Sequence, residues 1–257
     1  MVTLLNGEQW DRDVLLARMN EDEFYYGHLG THCLSSSSMK SLLDSPKSYH
    51  FQQKYGTPRT TQMEIGQFLH TMILEPNEFA NRFVVVDAKT RAAKAFKEAK
   101  AQSKKIVLTS AEYEKSNRLV DATLRNEDVL SLMGGCKAEV AGFGYLEGLP
   151  FRAKADLISP HGFLADLKTT AGIHEFHRSC EKYCYDSQAY IYTQLFGLDD
   201  FRFIVIDKGS LDIGVFDVAQ SFLDRGKEKV KKATDIYKEY FIAKKDLDMY
   251  TLRGTLL

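Results

Sequence analysis

Residues 151–170, FRAKADLISPHGFLADLKTT, decide how the rest of the chain is read. Two short runs, Phe151–Ser159 and Phe163–Thr169, flank Pro160-His161-Gly162, which is the composition of a β-hairpin. Side chains alternate across a strand, so Arg152, Lys154, Asp156 and Ile158 are expected on one face of the first arm. Asp166 and Lys168 then share a face of the second arm, with Leu167 turned the opposite way into an apolar layer. Two carboxylates and an ammonium thus converge on one side of a sheet. Hard divalent cations take oxygen ligands, and a lysine beside such an ion can orient or deprotonate a water. An isolated Asp-x-Lys is usually a solvated surface pair. This one is set among Phe163, Leu164, Ala165 and Leu167, so a solvated face does not account for it.

The chain has 257 residues, enough for one large domain or a domain with an appended helical part. With 44% apolar residues, including 13 Tyr and 16 Phe, it can build a substantial core. No run of eighteen apolar residues occurs, so no membrane span is expected. The opening MVTLLNGEQWDRD lacks the basic start and apolar stretch of a secretory signal. Cys33, Cys136, Cys180 and Cys184 show no disulfide framework, and a reducing cytoplasm is the expected setting.

Net charge is −1, from 34 basic and 35 acidic residues, which is unlike many nucleic-acid binders. Overall neutrality still permits a basic groove on an otherwise acidic surface. Basic residues crowd Lys89–Lys105 and Arg225–Lys232, where a solvated helix face is the reading preferred to a DNA contact.

Along the chain, residues 1–33 read as irregular, with a short helix at Trp10–Met19. Helices are expected at Ser35–Leu43, Lys47–Tyr55 and Glu64–Leu74, the last stopped by Glu75-Pro76. Arg82–Val86 is a short strand, Lys89–Ser103 a charged helix and Ala111–Met133 one long amphipathic helix. Lys137–Tyr145, Phe151–Ser159 and Phe163–Thr169 form an antiparallel meander. Helices at His174–Tyr183 and Asp186–Phe196, strands at Phe201–Asp207 and Ile213–Asp217, and a helix at Ala219–Ala243 complete the pattern. This order predicts one α/β domain whose central sheet is wrapped by helices. The expected division is an N-terminal extension over 1–33, a single domain over 34–245 and a C-terminal tail over 246–257.

Three further places bear on chemistry. Glu139 lies on the strand before the hairpin, where a third carboxylate could close a metal site with Asp156 and Asp166. Gly66 and His70 stand at i, i+4 on an apolar helix; a mid-helix glycine costs stability and suggests close approach by another backbone. Gln188 and Tyr192, also at i, i+4, face the same neighbour. Taken singly, His70 reads as a hydrogen-bonded core residue and the Gln188–Tyr192 pair as helix packing.

Glu139, Asp156, Asp166-Leu167-Lys168, Gly66-x-x-x-His70 and Gln188-x-x-x-Tyr192 together resemble the PD-(D/E)xK nuclease superfamily in its RecB-like branch. The segment LSSSSMKSLLDSPKSYHF, residues 34–51, is similar to the one opening the exonuclease VIII (RecE-type) proteins. The resemblance spans about Leu34 to Tyr192. One departure is Ala155, where the superfamily usually has a proline that is not a ligand.

The resemblance implies a restriction-endonuclease-like α/β core with a mixed sheet flanked by helices. It implies that Asp156, Asp166 and Glu139 hold Mg²⁺, for which Mn²⁺ would substitute. The Leu167 carbonyl and His70 would complete the coordination, and Lys168 would position or activate the attacking water. Gln188 and Tyr192 would bracket the site, orienting Lys168 and touching the DNA backbone. Arg152 and Lys154 are open to two readings, phosphate contacts or strand-edge charges. Ser36, Ser38 and Arg91 are the residues to which a 5′-phosphate pocket could be assigned.

The activity so implied is 5′→3′ exonuclease action on double-stranded DNA ends, giving 5′-phosphomonoesters. It would leave 3′ overhangs for a single-strand annealing protein in phage recombination or repair, with the enzyme forming a homo-oligomeric ring in the cytoplasm. The alternatives are a RecB-like nuclease acting on flap or single-stranded DNA, and a non-catalytic DNA-binding member of the fold. A zinc site on His174, His177, Cys180 and Cys184 is disfavoured, because on one helix these side chains sweep too far round to close a tetrahedron. An iron–sulfur cluster is disfavoured because no cysteine follows Gln188. No P-loop motor is present.

Overall fold

The structure, a computed structural model, describes residues 1–252. The chain opens with a two-stranded ribbon, β1 (Val2–Thr3) and β2 (Gln9–Trp10), then α1 (Arg12–Arg18), a π-helical turn at Glu23–His28 and α2 (Leu29–His32). Helices α3 (Ser36–Asp44), α4 (Pro46–Tyr55), α5 (Thr61–Leu74) and α6 (Phe79–Arg82) follow. Strands β3 (Phe83–Val86) and β4 (Ile106–Thr109) pair in parallel across α7 (Lys94–Gln102). Helices α8 (Ser110–Arg125) and α9 (Glu127–Met133) lead into β5 (Lys137–Leu146), β6 (Leu149–Ile158) and β7 (Phe163–Thr170). After α10 (Phe176–Tyr183) and α11 (Tyr185–Phe196) come β8 (Asp200–Asp207), β9 (Ile213–Asp217) and α12 (Gln220–Tyr237).

The central sheet runs β5-β6-β7-β8-β9, antiparallel throughout except for the parallel pair β7–β8. It is the mixed sheet flanked by helices that the sequence predicts. One face is covered by α5 and α8, where Phe68, Leu69, Leu119 and Val120 pack on Leu157, Leu167, Ile204 and Ile206. The other is covered by α10, α11 and α12, where Phe176, Ala189 and Leu223 pack on Ala155, Leu164, Phe203 and Val205. Each large apolar side chain buried in these layers contributes about 1.5–3 kcal/mol. Helix α12 lies hard against α11, because a Cβ at Gly226 would stand 2.1 Å from the Asp186 carbonyl oxygen. Lys229 fastens the same crossing through a 2.6 Å ion pair with the buried Asp186 carboxylate.

Two irregularities prepare the site. The β6–β7 ladder consists of Leu157↔Ala165 and Ile158↔Leu164. On the other side of that short zip β6 pairs with β5 and β7 with β8, so the sheet splits between Asp156 and Asp166. The alternation of β6 also slips there. Ala155 and Leu157, two residues apart, pack on opposite sides of the sheet, so the single face expected for Arg152 to Ile158 does not persist to its end.

Several expected elements need correction. Within residues 1–33 the short helix expected at Trp10–Met19 is α1, Arg12–Arg18, but the remainder is not irregular: Leu4, Leu15, Met19, Phe24 and Leu29 form a buried cluster with Phe143 of β5. The other elements are too short to show a period, which hid them. The helix expected over 111–133 is two helices, because the Asn126 side chain caps α9 by accepting the Val129 amide. The helix expected over 89–103 begins only at Lys94, and β4, three apolar residues and a threonine, is a strand the pattern did not announce. The last helix ends at Tyr237 and continues as a π-helical turn, Lys238–Ile242. Of the expected tail, residues 253–257 lie outside the described residues, while Asp248 pairs with Lys47 at 2.6 Å.

Candidate metal centre

The split in the sheet is filled by polar side chains from five elements. Asp156 of β6 turns a carboxylate into the gap, and its Oδ2 accepts the Leu167 amide of β7 at 2.8 Å. His70 reaches in from α5, its Nε2 donating to the Leu167 carbonyl at 3.0 Å and its Nδ1 lying 3.3 Å from Asp156 Oδ2. Glu139 stands opposite Asp156 on β5 with φ of +52°, a left-handed backbone that a non-glycine residue rarely takes. The register shows why it matters: Ala138↔Leu157 and Val140↔Ala155 are paired around it. Glu139 has left the ladder, and its carboxylate joins the cluster.

His70, Glu139 and Asp156 each offer an atom within 4.8 Å of the others, the one such trio of ligand side chains among the described residues. Asp166 lies outside that trio. It is held from the α11 side, where Gln188 Nε2 donates to Oδ1 at 2.6 Å and the Lys168 ammonium pairs with Oδ2. Apart from that ammonium, Asp166 Oδ2 is buried without a hydrogen-bond partner. Gln188 therefore orients Asp166, not Lys168 as the resemblance implied. Tyr192 lines the same cleft, with its ring 6.1 Å from Phe201. The ring of Tyr185, a residue the sequence reading missed, lies 4.8 Å from Lys168 Nζ. Its position one turn before Gln188 on the same helix was the available signal.

The electrostatics follow from the crowding. Burial raises Glu139, the Asp156 charge adds to this, and its carboxyl is pushed up to about 7. Burial alone would lower His70, but the Asp156 charge and hydrogen bond outweigh it and lift the imidazole to about 9. Both ring nitrogens face oxygen acceptors, so His70 carries both protons, one of which a cation would displace. Burial and the Asp156 charge raise Asp166, whereas His70 holds Asp156 below its ordinary value against the cost of burial. Burial opposes the charge on Lys168, but Asp166 and Asp156 overcome it and the ammonium is stabilised. Two carboxylates, an imidazole and a buried, under-bonded carboxylate oxygen fit a hard divalent cation. The residues that could hold one are His70, Glu139, Asp156 and Asp166, together with the Leu167 carbonyl.

The cleft around this centre has a volume of about 790 Å³. Arg152 and Lys154 line it, but neither is a loose strand-edge charge. Arg152 is buried; its Nε donates to the Leu29 carbonyl at 3.1 Å and its guanidinium lies 4.3 Å from the Tyr25 ring. Lys154 pairs with Asp22 at 3.5 Å. The N-terminal segment thus forms one wall of the cleft through Asp22, Tyr25 and Tyr26, a role no sequence pattern announced. Ser36 also lines the cleft, whereas Ser38 is buried with its hydroxyl against Ser35 at 3.1 Å. Arg91 is held by Glu64 at 2.6 Å and Glu112 at 2.7 Å, so it is not part of the cleft wall.

Comparison with known proteins adds three findings. Residues 35–245 match a family described as a PDDEXK-like domain of unknown function, DUF3799. The fold is similar to that of a candidate exonuclease from Eubacterium rectale, with a TM-score of 0.66 and 15% identity over 98% of this chain and 97% of that one. A phage-related exonuclease from Haemophilus somnus is also 15% identical over 82% of this chain and 96% of its own, with a TM-score of 0.36. No curated protein matches the sequence.

Proposed function

The chain belongs to the PDDEXK-like family DUF3799, and from that premise we propose that it is a divalent-metal-dependent DNA exonuclease. The observation that carries this reading is the meeting of Asp156, Asp166 and Lys168 with His70 and Glu139 in one cleft. A binding protein has no use for a buried acid cluster that burial and mutual repulsion make costly. A nuclease does, since hydrolysing a phosphodiester requires charge to be balanced at the scissile phosphate.

In this reading His70, Glu139, Asp156 and Asp166 hold Mg²⁺, with Mn²⁺ as a substitute, and Leu167 offers its carbonyl. Bound there, the cation would supply polarisation of the phosphate and acidification of a water. Lys168 does the rest from the protein side. Beside Asp166 and Asp156 its ammonium is stabilised, and from there it positions or activates the water and faces the phosphate. A water gives up one proton to solvent and its oxygen bonds to phosphorus as the P–O3′ bond breaks; O3′ takes up a proton and leaves as a hydroxyl, and the phosphate stays on the 5′ side of the next nucleotide. Gln188 fixes Asp166, and Tyr192 and Tyr185 pack beside them.

The finer reading is 5′→3′ resection of double-stranded ends, leaving 3′ overhangs for an annealing protein, by a homo-oligomeric ring. It is supported by the resemblance of residues 34–51 and of the ordered motifs to the RecE-type proteins. We take residues 34–245 as the nuclease domain and residues 1–33 as an extension that walls its cleft. Among the described residues no helix is long and apolar enough to cross a membrane. Digestion of linear duplexes labelled at one end or the other, with Mg²⁺ or with chelator, tests the proposal. Release of label from the 5′ end first is the expected result; intact duplex under every divalent cation would refute it.

A further inference from the structure

Tyr26 stands on the rim of the cleft with 61% of its surface exposed. An exposed tyrosine is unremarkable by itself, but the setting of this one is specific. It belongs to the π-helical turn Glu23–His28, and such turns recur at functional sites. Its neighbour Tyr25 is buried against the Arg152 guanidinium, so the turn is pinned to the strand that carries Asp156. The Tyr26 ring meets Tyr25 edge to face, with centroids 4.9 Å apart and planes at 83°. That contact orients the ring and leaves most of it to solvent. Two cations flank it, with the Arg152 guanidinium 6.0 Å and Lys154 Nζ 5.9 Å from the ring centre.

An oriented, open aromatic face flanked by cations is how single-stranded nucleic acid is held, with the base on the ring and the backbone along the positive charges. We infer that Tyr26 stacks on a nucleobase beside the scissile phosphate and so selects a strand that enters the centre unpaired. The inference rests on the nuclease reading of the same cleft and adds the form of the substrate. Inside a duplex both faces of a base are covered by its neighbours, so any base but the terminal one, whose outer face is open, must leave the stack to reach Tyr26. Taking a base out of a duplex carries a cost that is least where the strand is already single. At a duplex end the strand to be cut must therefore fray to bring successive bases onto Tyr26, and an end that is already single needs no fraying.

Single-stranded oligonucleotides with 2-aminopurine at one end or the other report stacking as quenched fluorescence. On a Lys168→Ala background in Ca²⁺, which keeps the strand intact, quenching is expected with Tyr26 and with Tyr26→Phe and is lost with Tyr26→Leu. In the chain otherwise unaltered, Tyr26→Leu should raise KM for single-stranded ends about tenfold, within the range for loss of one stacked base, while kcat changes less. Leucine keeps an apolar contact on Tyr25, and an unchanged melting temperature confirms the fold. Equal quenching by the Tyr26 and Tyr26→Leu proteins, or an unchanged KM, overturns the inference. Failure of the unaltered chain to digest any DNA would count against the nuclease reading instead, and the quenching comparison would still decide the role of Tyr26.

Discussion

The Leu167 amide donates to Asp156 Oδ2 at 2.8 Å across the split between β6 and β7. In a closed ladder that amide would meet a backbone carbonyl. Here the carboxylate that lines the cleft also closes the sheet, so the acid is both part of the frame and part of the site. His70 repeats the arrangement from the other direction, donating to the Leu167 carbonyl. Both backbone polar groups of one residue are thus spent on side chains of the cluster, and the site's geometry is as rigid as the strand that carries Leu167.

Removing Lys168 isolates the chemistry from binding. Lys168→Ala should reduce Mg²⁺-dependent digestion of linear duplex by at least about 10²–10³-fold, the usual effect of losing one charge-stabilising donor. End binding, measured by fluorescence anisotropy, should be largely retained because Arg152 and Lys154 remain in the cleft wall. Undiminished digestion would remove the assigned role.

Asp156→Asn separates frame from charge. The amide oxygen of asparagine can still accept the Leu167 N–H, so the β6–β7 split should persist and the melting temperature change little. The negative charge is lost, and with it the strongest partner of His70 and one ligand of the proposed cation. Calorimetric Mn²⁺ titration should therefore show affinity weakened by about tenfold or more, the difference of about 1.4 kcal/mol that one ligand readily supplies. Equal affinity would mean that Asp156 serves the fold alone.

Glu139 holds its place at the expense of backbone strain. A left-handed non-glycine residue costs about 1–2 kcal/mol, and burial beside Asp156 adds to this. Glu139→Gly relieves both, so the variant should melt about 2–4 °C higher while losing most Mg²⁺-dependent digestion. A variant that is both less stable and fully active would show that the strain has no functional purpose.

Much of this was legible in residues 151–170. The hairpin, its Asp-x-Lys and the apolar Leu167 between them carry their own period, and Glu139, His70 and Gln188 lie on elements long enough to be read. The split was not legible, because it comes from where the β6–β7 ladder stops, and sequence spacing is blind to that. The division of labour at Asp166 was hidden for the same reason: it depends on how α11 packs on the sheet through Ala189, which places Gln188 on the acid and not on the lysine. The N-terminal wall was hidden more deeply, since Tyr25 and Tyr26 sit in a π-helical turn that has neither helical nor strand periodicity.

Stability at low pH should depend on Glu64, away from the proposed metal ligands. Glu64 is buried on α5, paired with Arg91 at 2.6 Å and Lys100 at 3.0 Å, and it ties the helix that carries His70 to α7 and the loop before it. Burial would raise its carboxyl, but hydrogen bonds from Arg91 and Lys100 outweigh this and hold it below the ordinary value. A carboxyl depressed on folding binds its proton more tightly in the unfolded chain. Its stabilisation is therefore complete above the unfolded value, near 4.5, and is lost as pH falls through the lower folded value. Glu64→Gln deletes this contribution and leaves Arg91 with Glu112 as its remaining acid. The variant should melt lower than the unaltered chain at pH 7, and the gap should close as pH falls below the unfolded value near 4.5 and through the lower folded one. A gap that is constant across that range would show that Glu64 stabilises the α5–α7 contact by packing and not by charge.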